Sequence, residues 1–137
     1  MKISAQIKNR PGHHVATVRT NENEQQLSIP PKAAGAGSSV NGGELLFLAL
    51  ATCYCNDIYR EAAKQGIEVE QVEVTVSGEF GGPGDPARNI SYHAKLKAMA
   101  DEQTILALLA HTDAVAEVQN TLRQGVDVKL IPEAIAP

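Results

Sequence analysis

Tryptophan is absent from this 137-residue chain, and other aromatic residues are scarce, with three Tyr and two Phe. Cysteine is nearly missing too, represented only by Cys53 and Cys55. Positive charge is not in excess, since 12 basic residues against 16 acidic ones leave a net charge of −4. Each shortage closes a class of function. Without a basic surface and with few stacking platforms, the chain has no electrostatic footprint for nucleic acid. Two cysteines so close together are too few for the disulfide framework of a small secreted protein, which fits a reducing compartment. Long hydrophobic runs are missing as well. The longest, Leu45 to Ala51, is too short to cross a bilayer. The alternating start, Met1 to Lys8, has no stretch of signal-peptide type. A soluble, cytoplasmic protein with no membrane partner is expected.

What is present suffices for one domain over residues 1–137, long enough to bury roughly two thirds of its unfolded surface around one core. Ile3, Ala5 and Ile7 alternate with polar residues, Asn9-Arg10-Pro11-Gly12 is turn chemistry, and Val15–Thr20 and Gln25–Ile29 resume strand character around Asn21-Glu22-Asn23. Three antiparallel strands follow from this. Residues 30–39, rich in Pro, Gly, Ala and Ser, break all periodicity and predict a loop.

Asn41 then opens a helix as N-cap, Glu44 completes a capping box, and nothing interrupts the helix before Gly66 at the C′ position. Its first half, Leu45 to Ala51, is apolar on every side, so it is expected to be buried all round, either in the centre of a monomer or between two subunits. Val72, Val74 and Val76, then Ile90, Tyr92, Ala94, Leu96 and Ala98, alternate with polar residues and predict a long hairpin across the turn-rich residues 81–86. Asp101 is expected to cap one short helix and Thr112-Asp113 a second, closed by Gly125. Val126 to Ile131 reads as a last strand. The order βββ, α, ββ, αα, β is an α+β pattern.

Candidate chemistry is sparse. Residues two apart on a helix point about 200° away from each other. Cys53 and Cys55 therefore cannot form a disulfide while the helix is intact, and they are poorly placed to share a metal. No histidine pair has i, i+4 spacing on a predicted helix, so no metal is expected. The glycines at 35, 37, 42 and 43 miss both the Rossmann and the Walker spacings, so no nucleotide cofactor is expected either. Cys53 lies beyond the first turn, where the helix dipole has faded, and Asp57 on the same face disfavours its thiolate. A cation has to come from elsewhere, and Arg10 and Arg19 are the candidates outside this helix.

The segment Glu44-Leu45-Leu46-Phe47-Leu48-Ala49-Leu50-Ala51-Thr52-Cys53, followed by Asn56-Asp57-Ile58, resembles the central-helix signature of the OsmC/Ohr family, and the element order agrees over most of the chain. The resemblance implies an intertwined homodimer with active sites at the subunit interface. It implies Cys53 as the peroxidatic nucleophile, Arg10 as the arginine that supports its thiolate, and Glu44 as the carboxylate that orients Arg10. Where family members carry a resolving cysteine, this chain has Ala116. The expected activity is therefore that of a thiol-dependent peroxidase acting on organic or inorganic hydroperoxides, its sulfenic acid reduced by an external thiol. The alternative is a non-catalytic protein of the same fold that binds a small hydrophobic or thiol-bearing ligand at the dimer interface, or a redox sensor.

Overall fold

The computed structural model describes residues 1–137, which gather into two compact units, Met1–Leu46 and Phe47–Pro137. The first unit holds the meander: β1 (Ile3–Arg10), β2 (His13–Thr20) and β3 (Asn23–Leu27), antiparallel in the order β1-β2-β3. Arg10 pairs with His13 across Pro11-Gly12, so the first hairpin turns in two residues. At the second turn Asn21 takes a positive φ of 51°, and its side-chain oxygen accepts the Lys2 N–H at 3.0 Å. The loop beyond Leu27 folds back on itself, with Lys32 N–H donating to the Gly37 carbonyl and Ser39 N–H to that of Pro30, both at 3.0 Å. The Asn9 side chain anchors it by donating to the Gly37 carbonyl at 3.1 Å and accepting the Gly37 N–H at 3.0 Å.

Helix α1 spans Gly42–Lys64. Its capping box is present as the sequence predicts: Asn41 Oδ1 accepts the Glu44 N–H at 2.8 Å, and the Glu44 carboxylate accepts the Asn41 N–H at 3.0 Å. At the far end Gly66 adopts a φ of 68° while Gly66 N–H reaches the Ala63 carbonyl and Ile67 N–H that of Ala62. This is a Schellman motif, and the left-handed residue at its centre is one that glycine reaches without steric penalty.

The second unit packs α1 from Phe47 onward against a hairpin, β4 (Val69–Glu79) and β5 (Arg88–Ala98), and against α2 (Glu102–Val115) and α3 (Glu117–Gln124). Val72, Val74 and Val76 of β4 and Tyr92, Ala94 and Leu96 of β5 are the half-buried set, and a bulge between Val69 and Gln71 resets the alternation so that Val69 also turns inward. Tyr54, Ile58, Ala62, Leu108 and Ala116 form the centre of the core. Full burial of Ile58 and Leu108 contributes about 1.5–3 kcal/mol each. The Tyr54 and Tyr92 rings meet edge-on with centroids 4.9 Å apart. Gly78 makes room for the Phe47 ring: a Cβ there would lie 2.7 Å from the ring's tip and would force the ring to shift.

The fold is α+β with antiparallel sheets, and it departs from the sequence expectation in three places. The second short helix does not start at Thr112-Asp113, since both residues lie in the last turn of α2. The Thr112 hydroxyl donates to the Leu108 carbonyl at 2.7 Å, and the Asp113 carboxylate is taken up by Tyr92 and Arg123. Neither is free to cap, so α3 begins after Ala116 with no side-chain cap. Second, Val126–Ile131 is not a strand: it pairs with neither sheet of its own chain, and Val128, Leu130 and Ile131 are 97 %, 86 % and 90 % exposed. Its alternation is of strand type, but a strand needs a neighbour for its N–H and C=O groups. Third, of the two placements expected for the apolar half of α1, burial on every side within one chain is not what is found, since Leu48 is 59 % exposed, and the placement between subunits stays open.

Candidate functional site

Cys53 lies on the face of α1 that also carries Asp57 one turn on and Arg60 two turns on, and this face meets the start of α3. The thiol is half-buried. Its Sγ is 3.5 Å from Asp57 Oδ2 and 3.7 Å from Glu117 Oε2, within reach of a weak S–H donor. One Arg60 nitrogen bridges the two carboxylates, at 3.1 Å from Asp57 and 2.8 Å from Glu117, while Nε donates to Glu61 at 2.8 Å. Glu61, itself buried, also receives Lys64 at 3.0 Å and His111 Nε2 at 2.8 Å. The backbone N–H of Val118, one of the first-turn groups of α3 left without an intrahelical acceptor, faces the sulfur. Because the N-cap residue is Ala116, Cys53 Sγ stands where a capping side chain would.

These surroundings decide how the groups ionise. Burial pushes the Cys53 thiol up, the Val118 N–H works against this, and the charges of Asp57 and Glu117 add to the rise. Asp57 is pushed up to about 6 by burial and by its hydrogen bond with Glu117, and only partly restrained by Arg60. Glu117 is lowered to about 2 by that same hydrogen bond and by Arg60. The two carboxyl groups thus behave as a pair that binds one proton far more readily than two lone carboxylates would. The Cys53, Asp57 and Glu117 ligand atoms lie within 4.8 Å of one another, a spacing that could suit a cation. The Arg60 guanidinium is the cation set against both carboxylates here, which makes the cluster an ion-paired thiol site.

The three residues expected to form the site are placed in different units, Arg10 and Glu44 in the first and Cys53 in the second. Arg10 ends β1 at the rim of the first hairpin and is exposed. The Glu44 carboxylate is engaged in the capping box, and no ion pair joins it to Arg10. Arg19, the other candidate cation, pairs with Glu24 across β2 and β3 at 3.0 Å. Sequence reasoning did not nominate Arg60 or Glu117. The i, i+4, i+7 spacing of Cys53, Asp57 and Arg60 was a signal for the first. Nothing local in the sequence marks Glu117. Cys55 and Cys53 are both free, and Cys55 lies in a shallow depression with Ala51, Thr52, Asn56 and Val74. One turn before Cys53, Leu50 lines a cavity of about 230 Å³ with Ile90, Tyr92, Gln119, Leu122 and Arg123.

Residues 35–131 match the family described as OsmC-like protein. The chain belongs to the OsmC-like family. Solved structures agree in fold. An OsmC-like protein from Mycoplasma pneumoniae is 19 % identical, with a TM-score of 0.63, over 88 % of this chain and 87 % of its own. An organic hydroperoxide resistance protein OsmC from Legionella pneumophila is 23 % identical, with a TM-score of 0.59, over 92 % and 93 %. The organic hydroperoxide resistance protein OhrB of Bacillus subtilis is 20 % identical, with a TM-score of 0.53, over 92 % and 95 %. No curated protein sequence matches the chain. The match to the OsmC-like family spans α1 from its first residue to its last, and no helix is long and apolar enough to cross a membrane.

Proposed function

We propose that this OsmC-like protein is a thiol-dependent peroxidase that reduces organic or inorganic hydroperoxides through Cys53. The observation that carries the reading is the setting of the one half-buried thiol that meets a second helix: Sγ faces the uncapped N-terminus of α3 amid an Arg60-bridged carboxylate pair. Relatives in fold described as hydroperoxide resistance proteins support it. In this reading Cys53 attacks the peroxide, Arg10 stabilises the thiolate and the polarised peroxide oxygen, and Glu44 orients Arg10. With Ala116 in place of a second thiol, the sulfenic acid is returned to the thiol by two equivalents of an external thiol, releasing a disulfide and water. The active unit is a homodimer with its sites at the subunit interface, a reading supported by the uncovered Leu48 and by the exposed apolar segment from Val126 to Ile131. The cytoplasm is the proposed location, since a peroxidatic thiol has to stay reduced.

A second reading is favoured by the raised pKa of the Cys53 thiol and by the largely apolar cavity beside Leu50. It makes the protein a binder of a small hydrophobic or thiol-bearing ligand, or a slow redox sensor. Turnover decides between them. The reduced protein supplied with dithiothreitol is expected to consume cumene or tert-butyl hydroperoxide, and Cys53→Ser to abolish this. Equal consumption by wild type and variant overturns the peroxidase reading.

A further inference from the structure

A thiol held protonated by burial has to lose its proton as it attacks, and the alkoxide released by a hydroperoxide has to gain one. Both demands fall at one sulfur. Asp57 Oδ2 at 3.5 Å and Glu117 Oε2 at 3.7 Å are the acceptors facing Cys53 Sγ, one from its own helix and one from the start of α3. Arg60 binds both carboxylates through a single nitrogen and holds them in register with the sulfur. We propose that Asp57 and Glu117 form a proton relay for Cys53, taking the Sγ proton as the sulfur attacks and delivering it to the leaving oxygen.

The proposal rests on the peroxidase reading and deepens it by naming the acid and the base. The balance is complete without a further reagent. Sγ forms a bond to the terminal peroxide oxygen, which keeps its own hydrogen. The O–O bond breaks, and sulfur loses two electrons to the departing oxygen. The thiol proton, parked on the carboxyl pair, completes the alcohol, leaving Cys53 as sulfenic acid. Asp57 and Glu117 are catalytic in this step because they touch the reacting atom, and Arg60 is a positioning residue. At neutral pH the pair is free to accept a proton, since Asp57 binds one only as the pH falls to about 6. The charged groups around the relay are Arg60 and Glu61 on α1 and Glu117 on α3, with Lys64 on α1 and His111 on α2 reaching it only through Glu61. The Val118 N–H is the one backbone donor that faces the sulfur.

The relay and a plain electrostatic effect of the same carboxylates move the chemistry in opposite directions. Removing a negative charge beside a thiol lowers its pKa, so Asp57→Asn is expected to speed alkylation of Cys53 by iodoacetamide at pH 7. If Asp57 is the base, the same change slows oxidation of Cys53 by tert-butyl hydroperoxide, by about a hundredfold or more. Followed by stopped flow from pH 5 to 9, the wild-type oxidation rate should rise with an inflection near 6 that Asp57→Asn lacks. Glu117→Gln, a change at an exposed side chain that keeps Asp57, should move that inflection to lower pH and so tests the relay even if Asp57→Asn fails to fold. Oxidation of Asp57→Asn as fast as wild type, or an inflection unmoved in Glu117→Gln, overturns the relay while leaving the peroxidase in place. A wild type oxidised no faster than a free thiol of the same pKa overturns both.

Discussion

Two arginines fasten α3 to its surroundings, and they do so on opposite electrostatic terms. At the end of α3, Arg123 has Asp113 as its one carboxylate: Nη2 donates to the Asp113 carboxylate at 2.7 Å, Nη1 to the Asp113 carbonyl and to Asn120 Oδ1, both at 3.1 Å, and the Tyr92 hydroxyl donates to the same carboxylate. Burial there would raise Asp113, yet its hydrogen bonds from Tyr92 and Arg123 outweigh it and the net shift is down. At the start of α3, Arg60 has to serve Asp57 and Glu117 together beside a thiol, and Asp57 goes up. One site has a cation for its carboxylate and is a fastening. The other has more acid than cation, so its carboxyl pair is ionised at neutral pH yet takes up a proton only about one pH unit below it, a property that fastening does not need and proton transfer does.

The largest effect that separates them should come from Asp113→Ala. The change strips Tyr92 of its acceptor and Arg123 of its one carboxylate at the corner where β5, α2 and α3 meet. A loss of about 1–3 kcal/mol is expected from the unpaired half-buried hydroxyl, read from urea unfolding. The iodoacetamide profile of Cys53 should not move. A profile that shifts with Asp113→Ala would mean that the two sites are coupled and that the contrast between them is false.

A smaller effect of opposite sign is expected from Asp57→Asn. A carboxyl raised to about 6 in the folded state and near the usual 3.9 when unfolded binds its proton more tightly when folded. Its contribution therefore turns unfavourable as the pH rises from about 4 through 6, and is absent below about 4, where both states are protonated. Asparagine removes that dependence. The urea midpoint of Asp57→Asn should gain on wild type between pH 4 and pH 7.5, and a relative loss over that interval would show that Arg60 neutralises Asp57 after all.

How much of this was legible in the sequence follows from where the information lies. Asn41, Glu44 and Gly66 announce α1 because caps act on the backbone within a few residues, and the alternation of β4 and β5 announces their inner face for the same local reason. Thr112-Asp113 misled because a capping residue and a residue bonded to distant partners look alike until Tyr92 and Arg123 are in place. Val126 to Ile131 has the pattern of a strand, but pairing depends on a neighbour that its own chain does not supply. At the site, Cys53 and Asp57 were readable from their spacing, and Arg60 would have been by the same rule. Glu117 was not, since 64 residues separate it from Cys53 and only the packing of α3 brings them together.

The smallest effect belongs to a third arginine, which shows what a guanidinium contributes when neither burial nor an excess of acid is involved. Arg19 meets Glu24 across β2 and β3 at 3.0 Å with both side chains about half exposed, the situation in which water and salt screen a pair most effectively. Arg19→Ala should change stability by about 0.2–1 kcal/mol, and adding salt should erase what there is. Cys53 oxidation should be unaffected, because Arg19 is already satisfied within its own sheet. A large loss of peroxide reactivity in Arg19→Ala, with none in Arg10→Ala, would mean that the thiol draws its outside cation from β2 and not from the first hairpin turn. The assignment of Arg10 would then fall, while the Arg60 cluster and its contrast with Arg123 would stand.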